Sequence, residues 1–170
     1  MWNRKRTPAS SMALGGVLAA LAVVIMSLGG MIPVATYVCP VMVMLLLQAV
    51  LHFCGRKVAW AWYGAVSLLS CLMCPDKEAA FVLVFLGFYP IIKPWMDSKK
   101  CAWFLKALFF NTVILILYWM LMHLIGMADL QQEFQEMGRA LTVSLLILGN
   151  VTFFMLDFIL GRRLVRRRKK

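Results

Sequence analysis

The sequence predicts an all-α fold, an integral membrane bundle of six transmembrane helices with the N-terminus and C-terminus both cytoplasmic. Three observations predict it. Of 170 residues, 63% are hydrophobic and 15% charged, against about 45–50% and about 25% in a soluble domain. Mean hydropathy is +0.84. The charges are also confined to short clusters, and the basic ones fall almost entirely on one side of the inferred membrane. This balance excludes a water-soluble enzyme, a disordered tail and a secreted disulfide scaffold. A chain of 170 residues leaves room for one transmembrane domain, residues 1–170, and almost no soluble part.

Each span is read from a run without charge. Thr7 to Gly55 is 49 residues long without Asp, Glu, Lys or Arg, enough for two crossings of about 20 residues each. Gly29, Gly30 and Pro33 mark the turn between them, giving helices near 12–29 and 33–53. Arg4-Lys5-Arg6 before an apolar run also resembles a signal peptide. No clear cleavage pattern follows Leu28, and a second crossing begins at once, so a retained helix is expected. Val58 to Pro75 carries the third span, near 58–75, and the fourth run, Ala79 to Ile92, has only 14 residues. At about 1.5 Å per residue this run falls short of a hydrocarbon core of about 30 Å. It is read as a short crossing near 78–93, extended by snorkelling of Lys77 and Lys93. Ala107 to Ala128 supplies a fifth helix near 103–126, and Ala140 to Leu160, interrupted by Asp157, a sixth near 139–160. A basic tail, 161–170, closes the chain.

With six crossings and the N-terminus inside, 16 of the 18 basic residues face the cytoplasm, all but Lys77 and Arg139. Five of the seven acids face outside. Without the fourth crossing the tail would move outside and the asymmetry would vanish, so positive-inside placement favours it. The net charge of +11 is therefore read as topology and contact with anionic lipid. Seven basic residues follow Gly161 with no interleaved aromatic residue, which disfavours a nucleic-acid partner.

Polar residues inside lipid are costly and mark candidate sites. Asn111 and Asn150 lie near mid-depth on the fifth and sixth helices. They would either hydrogen-bond to each other or floor a ligand pocket. Tyr37, Tyr118 and His123, with Thr36, Ser67, Ser70, Thr142 and Ser144, share the outer half, and Asp76, Lys77 and Glu78 lie at the same face. Asn111, Asn150, Tyr37, Asp76, Glu78, Tyr118 and His123 are the candidate substrate-binding residues. Asp157 needs a cationic partner, expected from Arg162, Arg163 or Lys93, and an ion pair is favoured over a proton relay. Asp129 to Gly138 reads as an amphipathic helix at the interface, a cap or a lid.

Catalytic and metal motifs are missing from the sequence. Cys71-x-x-Cys74 has no zinc-spaced companion, and His52 and His123 belong to opposite ends of the bundle. No nucleophile elbow, zinc-helix motif or phosphate loop is present. Neither an enzyme nor a cofactor nor a bound metal is expected.

The first helix is the most specific element. Ser11, Gly15, Ala19 and Ala22 recur at helical spacing, with Gly16 and Ala20 beside them. Such a ridge of small residues admits a close helix, either from this chain or from a partner. Arg4-Lys5-Arg6 followed by Ala13-Leu14-Gly15-Gly16-Val17-Leu18-Ala19-Ala20-Leu21-Ala22 resembles the substrate-binding (S) components of energy-coupling factor transporters. The resemblance implies a small six-helix protein with both termini inside. It also implies a helix 1 whose small residues contact a shared transmembrane coupling subunit. Gly15-x-x-x-Ala19 and Gly16-x-x-x-Ala20 stand where that family has its pattern, making Ser11, Gly15, Gly16, Ala19 and Ala20 the candidate partner-helix interface. The implied function is capture of a small solute in a bacterial plasma membrane. Energy would come from separate ATPases, since no nucleotide-binding motif is present. The alternative is a scaffold subunit of a cell-envelope complex, similar to the MreD-type rod-shape proteins, with the small face and basic tail but no pocket.

Overall fold

Pro8 opens α1 (Pro8–Gly29), a first-turn position where a missing N–H costs nothing. In the computed structural model, which describes residues 8–29, 35–123, 143–144 and 146–161, six further helices follow. They are α2 (Ala35–Cys54), α3 (Arg56–Met73), α4 (Lys77–Leu86), α5 (Tyr89–Asp97) and α6 (Ala102–His123), and α7 (Leu146–Gly161). There is no strand among the described residues, so the all-α class is observed. Among the described residues, four helical segments are long and apolar enough to cross a membrane: Ala9–Gly29, Thr36–Cys54, Lys77–Asp97 and Ala102–Met120. That fits a membrane protein. Gly30 and Pro33, where a turn is expected, Asp129 to Gly138, where an amphipathic helix is expected, and the residues from Arg162 onward lie outside the described residues.

Residues 1–94 form one compact unit and residues 95–170 a second. In the first, α1 turns Gly15, Ala22 and Met26 inward, while Met12, Val17, Leu21, Val24 and Leu28 stay exposed. Exposed apolar side chains on a helix of this length match a lipid-facing surface. The core adds Val43, Leu47 and Val50 from α2, Ala59, Trp62 and Val66 from α3, and Ala79, Ala80 and Leu83 from α4. Ala22, Ala59, Ala79 and Ala80 are fully buried, and their small size lets the backbones approach. Gly55 joins α2 to α3 in one residue with φ +89°, a left-handed conformation that glycine adopts without a Cβ penalty.

The fourth span differs from the expected short helix. It is two helical pieces, α4 and α5, separated by Gly87 and Phe88, and its apolar stretch runs on to Asp97 for 21 residues. At about 1.5 Å per residue this covers about 31 Å. Lys77 and Lys93 do not extend it by snorkelling. The Lys77 ammonium donates back to the Cys71 and Cys74 carbonyls at 3.0 and 3.1 Å. Lys93 is 2% exposed, inside the span. At the break, the Tyr63 hydroxyl donates to the Val84 carbonyl and the Gly87 amide to Leu83. Tyr63, Trp60 and Phe88 pack ring to ring around it.

In the second unit α6 and α7 run antiparallel, with Phe110 stacked on Phe153 and Trp103 on Phe154 at centroid distances of 4.7 and 5.5 Å. Leu117, Leu156 and Leu160 are buried.

Candidate functional site

Asp76 follows Cys74 and Pro75, where α3 has ended, and caps α4: its Oδ1 accepts from the Ala79 amide at 3.1 Å. Glu78 sits in the first turn, where the positive end of the helix dipole favours a carboxylate. The start of α2 meets this turn. The Thr36 hydroxyl donates to Asp76 Oδ2 at 2.7 Å, and the Tyr37 hydroxyl donates to Glu78 Oε1 at 2.8 Å. The Cys74 thiol donates to the Met26 carbonyl at 3.1 Å, tying the end of α1 to the same place. The result is a polar cluster at one end of helices whose exposed sides are largely apolar, with two carboxylates, one ammonium and two hydroxyls contributed by residues about forty positions apart. Tyr37 is 54% exposed, so a solute can reach it.

Three of the seven candidate binding residues, Tyr37, Asp76 and Glu78, therefore converge. Ser67 and Ser70, expected in the same vestibule, are instead buried in the packed face of α3. Asn111 and Asn150 converge separately, in the second unit. Each side-chain amide donates to the other's Oδ1, at 3.0 and 3.1 Å. Each also donates to the carbonyl four residues earlier, Ala107 or Leu146, at 2.8 and 2.9 Å. All four N–H groups are committed, so the pair is an interhelical clasp and offers a ligand no donor. A cycle of Asn111→Leu, Asn150→Leu and the double variant should show coupling of about 0.6–1.7 kcal/mol in detergent-solubilised unfolding. Strict additivity would mean that the clasp does not stabilise the helix pair. Tyr118 is half-buried on α6, and the side chain of His123 lies outside the described residues.

The small ridge on α1 separates into two groups. Ser11 and Gly15 face this chain's own helices: the Cys54 thiol donates to the Ser11 carbonyl at 3.2 Å and the Trp62 indole to the Gly15 carbonyl at 3.0 Å. Ala19 packs against the core. Gly16 and Ala20 are exposed. Intramolecular packing thus takes one side of the ridge and leaves the other open.

Asp157 pairs with Lys106 at 2.9 Å, and Lys106 also pairs with Asp97. The expected partners were Arg162, Arg163 and Lys93; the arginines lie outside the described residues. Lys106 stands one residue before the charge-free run that begins at Ala107, so the run itself does not point to it as the partner. Its signal was present: one lysine flanked by Trp103, Phe104, Leu105, Ala107, Leu108 and Phe109 is more costly to bury than to expose unless it is paired. All five cysteines are free thiols, and no group of three metal-ligating side chains forms among the described residues.

No family model, curated protein or solved structure matches the chain.

Proposed function

We propose that this chain is a membrane-embedded subunit that captures a small polar solute for uptake, working with a separate ATP-driven coupling complex. In this reading the chain crosses a bacterial plasma membrane six times, with both termini cytoplasmic, and the polar end of the first unit faces outside. The observation that carries it is the meeting of Tyr37, Asp76 and Glu78 at one end of a helical unit with an apolar exterior. Hydroxyl and carboxylate groups at an exposed helix junction can exchange their mutual hydrogen bonds for those of a polar ligand with little loss. The open side of α1, at Gly16 and Ala20, is the surface left for a helix of the coupling subunit.

A thermal-shift screen of the purified chain against water-soluble vitamins, nucleobases and amino acids tests this. A ligand at a hundred times its Kd adds about 2.7 kcal/mol to the native state. At about 2–4 °C per kcal/mol for a chain of this size, the right solute raises Tm by several degrees.

One observation favours the scaffold reading instead. The groups at the polar end already satisfy one another, and the Asn111–Asn150 clasp is closed. A scaffold would show no solute-dependent shift and would keep its complex when Tyr37 and Glu78 are changed.

A further inference from the structure

We infer that the groove between α6 and α7 holds one acyl chain of an anionic phospholipid, whose head group rests on the basic end of the second unit. The groove has a volume of about 610 Å³ and is lined by Trp103 of α6 and Ile147, Val151, Phe154, Met155 and Phe158 of α7. Its one polar lining residue is Asn150, whose amide N–H groups are committed to Asn111 and Leu146. The groove therefore recognises hydrocarbon. Trp103, Ile147, Met155 and Phe158 are 70%, 59%, 63% and 59% exposed, an apolar rim that water would not cover favourably.

Charge selects the occupant. Because α6 and α7 are antiparallel, the start of α6 and the end of α7 share one end of the unit, as the Lys106–Asp157 bridge requires. Lys99 and Lys100 lie just before α6 and are exposed, with the Lys99 ammonium 5.1 Å from the centroid of the Trp95 ring. A tryptophan–lysine pair with a second exposed lysine beside it is the composition of a membrane interface on the cytoplasmic side. An apolar trough ending in positive charge fits a lipid with a negative head group better than a zwitterionic one. It also fits it better than a second protein copy, whose matching end would repel it.

The test uses the delipidated full chain, titrated with dioleoyl phosphatidylglycerol or dioleoyl phosphatidylcholine and followed by native mass spectrometry. Wild type should bind the first phosphatidylglycerol at least tenfold more tightly than phosphatidylcholine. Val151→Trp, and separately Met155→Trp, should fill the groove and weaken that first binding at least fivefold. Leu115→Trp, on an exposed position of α6 outside the groove, should leave it unchanged. Lys99→Gln with Lys100→Gln should lower the preference between the two lipids at least threefold. Equal binding of both lipids by wild type would overturn the inference. So would binding indifferent to both groove-filling variants, or a dimer whose formation excludes the lipid.

Discussion

Lys106→Met should be the most damaging single substitution in the second unit, costing about 3 kcal/mol. The lysine side chain is 8% exposed and holds carboxylates on both sides, Asp157 at 2.9 Å and Asp97. Removing one partner of a buried ion pair leaves an uncompensated charge, at a cost of about 3–5 kcal/mol. The Asp157 side chain is 16% exposed and bears most of that cost, whereas Asp97, at 39%, regains water and contributes little. Met matches the length of the lysine stem, so the loss is electrostatic and not a cavity. Lys106→Met combined with Asp157→Leu should recover most of the stability, because paired removal of a buried bridge is often neutral. Unfolding in mixed detergent, monitored by circular dichroism, reads all three. Lys106→Met within about 0.5 kcal/mol of wild type would mean that the bridge does not hold the unit together.

Gly87→Ala should cost about 1–3 kcal/mol, although alanine is the better helix former. A methyl group there would overlap the Leu83 carbonyl oxygen and lie 2.8 Å from Leu83 Cδ1 and 3.1 Å from Tyr63 Cε2. The backbone at the α4–α5 break would have to shift, and with it the Tyr63 hydroxyl that caps Val84. Gly64 is the control: an added Cβ meets nothing within 4 Å, so Gly64→Ala should be neutral or stabilising by about 0.5–1 kcal/mol. Equal behaviour of the two alanine variants in the same unfolding assay would remove close packing as the reason for Gly87.

The helical class was legible because charge-free runs such as Thr7 to Gly55 are long enough for apolar helices of membrane-spanning length. An amide pair between Asn111 and Asn150 was one of two readings open for those residues, and the structure shows its hydrogen bonds; a cationic partner for Asp157 was legible because a carboxylate in an apolar run needs one. Rotation about each helix axis was not. The ridge on α1 is small all along one side, so spacing could not say that Ser11 and Gly15 serve α2 and α3 while Gly16 and Ala20 stay open. At Lys93 the sequence does not separate two outcomes, because a lysine ends an apolar run whether it snorkels or is buried. Its 2% exposure distinguishes the two. Lys106 and Asp157 lie 51 positions apart, and only the antiparallel register of α6 and α7 brings them together. The polar end was half legible: the grouping of Tyr37, Asp76 and Glu78 has hydrogen bonds behind it, but it also took in Ser67 and Ser70, which helix rotation turns into the core.

The solute screen on wild type beside the Tyr37→Phe/Glu78→Gln double variant bears most directly on the capture reading. Tyr37→Phe removes only a hydroxyl, and Glu78→Gln keeps shape while removing charge, so both variants should fold. One small polar solute should raise the Tm of wild type by several degrees at a concentration well above its Kd, and the double variant should lose that rise. A wild-type Tm that no member of the panel moves, or a rise that persists in the double variant, would contradict capture at this end of the molecule.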